Sequence, residues 1–156
     1  VFTISKGATF KITDFGATVN QLSTEAIQKT VDRCFENGGG TVIVPAGIYI
    51  TGTIFLKSNV DLHLEAGATL EGSTDLNDYT FNGKKYGIVF CEDAENVSIS
   101  GKGTIHANGE VFYDFSRNHT YDEFDKNRTR QKENYMPEGK YDLLTCATCL
   151  VFDLTG

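Results

Sequence analysis

The residues of this 156-residue chain that could do chemistry lie partly in a polar stretch from Ala107 to Asp142 and partly as single positions inside apolar runs. In the polar stretch, Asp122, Glu123 and Asp125 are close enough to offer oxygen ligands to calcium or to form an acid–base pair. A charged run in a polar segment is usually just hydrated, and that reading is favoured. His63 alternates outward on an apolar segment, and His106 and His119 have no Ser or Cys at a recognisable catalytic spacing. All three read as polar surface residues. Gly38, Gly39 and Gly40 end a helical pattern instead of opening one, which disfavours a phosphate cradle. Cys34, Cys91, Cys146 and Cys149 match neither a compact disulfide framework nor a paired zinc knuckle. Cys146 and Cys149 stand three apart on a strand-like run, so their side chains point to opposite faces, and buried structural thiols are expected over redox or metal chemistry. The sequons at Asn96, Asn118 and Asn127 have meaning only in a eukaryotic secretory route.

The elements that must position these groups follow from periodicity. After a short strand over 9–12, the segment from Ser23 repeats its apolar residues at the helical period (Ile27, Val31, Cys34, Phe35), with Ser23 or Thr24 available to cap it and Gly38 to Gly40 to stop it. A helix over about 23–37 is expected. Beyond Gly40 the period changes to two, in short runs punctuated by glycine: TVIV, GIYI, TIFL, VDLHL, ATLEG, GIVF, VSIS, GTIHA and CLVF. Two of these runs repeat. Asn59-Val60-Asp61-Leu62-His63-Leu64 and the residues to Leu70 match Asn96 to Ile105 with a gap of two, and the run from Ile88 is similar to the run from Leu150. A repeating strand unit predicts an all-β solenoid of stacked coils, with the amphipathic helix covering the exposed edge of the first coil. Residues 107–142 break the pattern and read as a long insertion, too rich in aromatics to be disordered.

Composition narrows the class. A formal net charge of -7 argues against nucleic acid as a partner, because binding phosphates requires a basic face. No apolar run reaches the roughly 20 residues that span a bilayer, so no membrane span is expected. The 16 glycines against two prolines favour many tight turns over a proline-rich linker. The chain opens at Val1, which fits either a removed signal peptide or a start inside a longer protein.

The runs Ile12-Thr13-Asp14-Phe15-Gly16-Ala17, Thr24 to Gln28, Gly38 to Ile54 and Leu56 to Leu70, continued by Gly72 to Tyr79 and Asn96 to Ile105, resemble the opening of glycoside hydrolase family 28, the polygalacturonases. The resemblance covers roughly Ile12 to Ile105. It implies a right-handed parallel β-helix with an N-terminal capping α-helix, secretion or a periplasmic or extracellular location, and a pectin-type polysaccharide as partner. It also implies acid–base hydrolysis with inversion, needing no metal or other cofactor. The family carries its chemistry on an Asn-x-Asp, an Asp-Asp, a His-Gly and an Arg-x-Lys, in that order.

This sequence has no Asp-Asp and no His-Gly. Asn59-Val60-Asp61 matches by letter, but Asn59 aligns with Asn96 of the repeat, so it reads as a coil-building Asn followed by a surface Asp. Arg130-Gln131-Lys132 lies in the insertion, where a solvated charged loop is favoured. No catalytic residue is therefore assigned within 1–156, and the chain is expected to be inactive alone, stopping inside a repeat before the catalytic coils. On this reading Arg117, Arg128, Arg130 and Lys132 would pair with uronate carboxylates, and Tyr113, Tyr121 and Tyr135 would pack on sugar faces. The alternative is a noncatalytic polysaccharide-binding module, or one that self-associates end to end through its open C-terminal coil. A β-helical lyase is a third reading, disfavoured because its acidic calcium ligands are not visible.

Overall fold

Alternation decides the strands. Val42, Val44, Leu62 and Leu64 are buried, while Thr41, Ile43, Asp61 and His63 between them turn to the other face. The computed structural model describes residues 7–112. Within them the strands are β1 (Ala8–Lys11), β2 (Gly40–Val44), β3 (Gly47–Thr51), β4 (Ile54–Phe55), β5 (Val60–Leu64), β6 (Ala68–Gly72), β7 (Thr80–Phe81), β8 (Lys84–Lys85), β9 (Val89–Phe90), β10 (Ser98–Gly101) and β11 (Thr104–His106). One α-helix, α1 (Thr24–Glu36), lies between β1 and β2.

Three of the four described sheets are parallel. One runs β1-β2-β5-β10, a second β11-β6-β3 and a third β4-β9. The registers explain the repeat read from the sequence. Gly40 pairs with Val60, 20 residues on, and Gly47 with Ala68, 21 on. Ile54 then pairs with Val89, 35 on, Asp61 with Ser98, 37 on, and Thr69 with Thr104, 35 on. The fall from 37 to 35 is the two-residue gap in the repeat. The extra length on the later pass is looped out between β6 and β9, where residues Leu76–Tyr79 form a 3-10 turn and β7 and β8 an antiparallel hairpin. The composition of this segment did not predict that hairpin.

The core is aliphatic and stacked. Val42, Val44, Ile54, Val60, Leu62, Leu64 and Leu70 are essentially fully buried with Tyr49, each aliphatic side chain contributing about 1.5–3 kcal/mol of transfer free energy. A satellite cluster of Leu76, Tyr79, Ile88 and Ala107 packs under the looped-out segment. Turns are set by Asn and Gly. Asn59 and Asn96 both hold left-handed backbone, φ 63° and 55°, which Asn tolerates better than other side chains. Gly101, φ 103°, crosses so close to Leu64 that a Cβ would overlap its carbonyl oxygen.

α1 buries Ile27, Val31 and Cys34 against the strands, and Thr30, also buried, returns its hydroxyl to the Ala26 carbonyl at 2.8 Å. Gly38 and Gly39 end it in left-handed conformations, the Gly39 N–H bonding the Cys34 carbonyl at 2.9 Å. Its start differs from expectation. Ser23 occupies the capping position, but its hydroxyl is engaged with Thr18 and Gln21, and the Thr24 hydroxyl accepts the Gly52 N–H at 2.8 Å. Both hydroxyls tie the helix start to neighbouring chain instead of to its own first turn. Cys34 is buried as expected, whereas Cys91 is exposed on the turn after β9, and the two are not joined to each other. Cys146 and Cys149 lie outside the described residues.

Candidate functional site

Parallel pairing of β5 with β10 brings Asp61 beside Ser98 and His63 beside Ser100 on one outward face. The Ser98 hydroxyl donates to Asp61 Oδ1 at 2.6 Å and the Ser100 hydroxyl to Asp61 Oδ2 at 2.7 Å. His63 Nδ1 lies 2.7 Å from the Ser100 oxygen. A hydroxyl has one proton, and that of Ser100 is committed to the carboxylate. His63 must therefore donate from Nδ1.

This order fixes what the cluster can do. A hydroxyl becomes a nucleophile when an imidazole accepts its proton and a carboxylate orients the imidazole. Here the serine stands between carboxylate and histidine, and its proton points away from the ring, so the arrangement clamps strands and does not activate oxygen. Glycoside hydrolysis needs two carboxyl groups roughly 5–9.5 Å apart. Asp61 is the only carboxylate in the β1-β2-β5-β10 sheet, and Glu71 the only one in β11-β6-β3. Glu71 accepts from Asn108 Nδ2 at 3.3 Å, and its Oε1 lies 3.9 Å from His106 Nδ1. Among the described residues no three His, Cys, Asp or Glu side chains converge as metal ligands.

Asn59 stands in a turn, as expected, whereas Asp61 and His63, expected as surface groups, are half-buried and partnered across the strands. Sequence reasoning missed the Asp61–Ser100–His63 linkage. The signal was present, because aligning Asn59 with Asn96 sets Asp61 on Ser98 and His63 on Ser100. Tyr113, Arg117, Tyr121, Arg128, Arg130, Lys132 and Tyr135 lie outside the described residues, as do Asp122, Glu123, Asp125 and His119.

A third polar group closes the looped-out segment. Ser73 donates its hydroxyl to Asp78, and Tyr79, almost fully buried, donates its own to the Ser73 carbonyl at 2.8 Å. Burial first, and the Asp78 carboxylate second, push the Tyr79 phenol far above its ordinary value. That hydroxyl stays protonated and structural.

No family model matches the chain. It is 37% identical over 117 residues to an exo-poly-alpha-D-galacturonosidase from Dickeya chrysanthemi, a match covering 63% of this chain and 19% of that protein. A polygalacturonase from Persea americana is 33% identical over 110 residues, covering 67% of this chain and 23% of the relative. Among solved structures, a family 28 exopolygalacturonase from Yersinia enterocolitica superposes with a TM-score of 0.59 at 32% identity, over 64% of this chain and 21% of that one. A hyperthermoactive exopolygalacturonase from Thermotoga maritima gives 0.61 at 29% identity, over 70% and 27%. The chain spans about a fifth of the length of the curated relatives it matches. Over about two thirds of its residues this chain is thus similar in sequence and fold to polygalacturonases of glycoside hydrolase family 28.

Proposed function

We propose that this chain is the N-terminal portion of a secreted glycoside hydrolase that cleaves galacturonic-acid-containing, pectin-type polysaccharide by acid–base hydrolysis. Its parallel strands are the first coils of a right-handed β-helix, and α1 caps the first of them. The observation that carries this reading is the convergence of sequence and fold similarity on polygalacturonases. The parallel, in-register pairing of successive passes of the chain supports the helical winding, and the packing of α1 against β1, β2, β4 and β5 supports the cap.

The catalytic acid and base are supplied by residues other than 1–156. Asp61, the carboxylate of the one Asn-x-Asp in the chain, has both oxygens engaged by serines, and the sequence contains no Asp-Asp. The segment 107–142 lines one side of the sugar-binding cleft through Tyr113, Arg117, Tyr121, Arg128, Arg130, Lys132 and Tyr135. Arginine forks and the lysine hold uronate carboxylates while tyrosines pack on sugar faces.

The test is release of reducing ends from polygalacturonate by the natural reading frame that contains these residues, beside the same assay on residues 1–156. Activity in the longer polypeptide and none in the shorter is expected. A longer polypeptide inert on polygalacturonate, and on pectin at every degree of methylation, overturns the proposal.

A further inference from the structure

The β4–β9 ladder presents an aromatic surface that neither core cluster absorbs. Ile54 is buried and its strand partner Val89 packs against the core, which by alternation turns Phe55 and Phe90, directly paired, to the outer face. The Phe55 ring lies 5.3 Å from Phe81, 5.2 Å from Tyr86 and 5.9 Å from Phe90, and Tyr86 lies 4.7 Å from Phe90. These are tilted and edge contacts, the arrangement aromatic rings prefer. Phe81 remains 54% exposed.

The array is held rigidly. Gln28 of α1 clasps the Phe55 backbone from both sides, accepting its N–H at 2.8 Å and donating to its carbonyl at 3.0 Å. Phe81 sits on the β7–β8 hairpin, whose turn Asn82-Gly83 has positive φ at both positions, as a two-residue hairpin turn requires. In that hairpin Phe81 is paired with Lys84, so ring and ammonium-bearing stem leave the same face of the ribbon from directly opposite positions. Both are exposed. In a chain of net charge -7, this is a place where an apolar ring and a cation occur together.

We propose that this hairpin platform is a binding surface for a uronic-acid polysaccharide chain, with Phe81 against the C–H face of a sugar ring and Lys84 on its carboxylate. The proposal rests on the pectin-directed reading above and adds to it a site on the described residues. Phe81 is backed by the Phe55 ring, itself packed on Tyr86 and Phe90, which resists displacement when a sugar packs on it, and the paired cation selects an anionic sugar over a neutral one.

The test is calorimetric titration of the 156-residue chain with short oligogalacturonides and with their methyl esters at low salt. Phe81→Ala is expected to weaken binding of both about tenfold, and Lys84→Gln to weaken only the acid form by a similar factor, an effect that added salt abolishes. Unchanged affinity in both variants, or wild-type chain that binds no oligogalacturonide, overturns the platform. Neither result bears on whether the longer polypeptide hydrolyses polygalacturonate, so the two proposals fail separately. Circular dichroism controls for folding. Should Phe81→Ala fail to fold, Lys84→Gln decides alone: a salt-dependent loss specific to the acid supports the platform, and equal loss for acid and ester, or none, rejects it.

Discussion

Asn96 stands over Asn59, its Nδ2 donating to the Asn59 Oδ1 at 3.0 Å across 37 positions of chain. Both residues hold left-handed backbone at equivalent turns, and Asn59 also passes its carbonyl to the Gly40 N–H at 2.9 Å. Asn59→Ala is expected to lose this bond and strain the backbone, lowering stability by about 1–3 kcal/mol. Asn59→Gly relieves the strain and loses less. Urea unfolding of the two variants checks the order, and an alanine variant as stable as wild type would refute it.

Gly101→Ala belongs to a different class of damage. Its Cβ would overlap the Leu64 carbonyl where β10 pairs with β5, at φ 103°. A loss of about 4 kcal/mol or more is expected, enough to leave little folded protein. Gly83→Ala, also at positive φ but with open space around it, should cost about 1–2 kcal/mol. Thermal melts of the pair separate a steric clash from backbone strain alone.

Asp61 has its two oxygens bonded by Ser98 and Ser100, so Asp61→Ala removes two charge-assisted bonds and leaves both hydroxyls without their acceptor. A loss of about 1–3 kcal/mol is expected, moderated by the site's partial exposure. In the longer polypeptide, Asp61→Asn should leave the turnover of polygalacturonate unchanged. A collapse in kcat with unaltered stability would instead put Asp61 in the chemistry.

Alkaline pH reads the buried protons. Burial holds the Tyr79 phenol above its ordinary value of 10.0, with Asp78 adding to the effect, and burial likewise raises the Cys34 thiol above 9.0. The unfolded chain releases these protons before the folded chain does. Their contribution to stability is complete below about pH 9 and falls as pH rises toward the folded values. Urea midpoints should therefore hold up to that pH and then decline. Tyr79→Phe should flatten the upper part of the decline, at a cost of about 1 kcal/mol for the lost bond to the Ser73 carbonyl. A slope indifferent to Tyr79→Phe would contradict the assignment.

The sequence made the strands legible because their burial has a strict period of two and their turns are marked by Asn and Gly. It made α1 legible because Ile27, Val31 and Cys34 keep the helical period. It did not show where Ser23 and Thr24 spend their hydroxyls, because that depends on Thr18, Gln21 and Gly52 arriving from other elements. Nor did it show the β7–β8 hairpin, whose two-residue strands are too short to display any period. The Asp61–Ser98 and His63–Ser100 pairs were encoded in the repeat, but only as an alignment. Their bonding followed once the strands were in register.

The registers also say where this fold can grow. Between one pass of the chain and the next, the spacing changes from about 20 residues to about 36, yet Leu62 still lies beneath Ile99 and Leu70 beneath Ile105. Most of the added chain leaves and re-enters at the junction between Gly72 and Val89, and closing a longer loop there costs only about 0.6 kcal/mol per doubling of its length. That junction is a graft point. Foreign segments inserted there should leave the stacked aliphatic rows intact, so new surfaces could be tried on this frame without redesigning its interior.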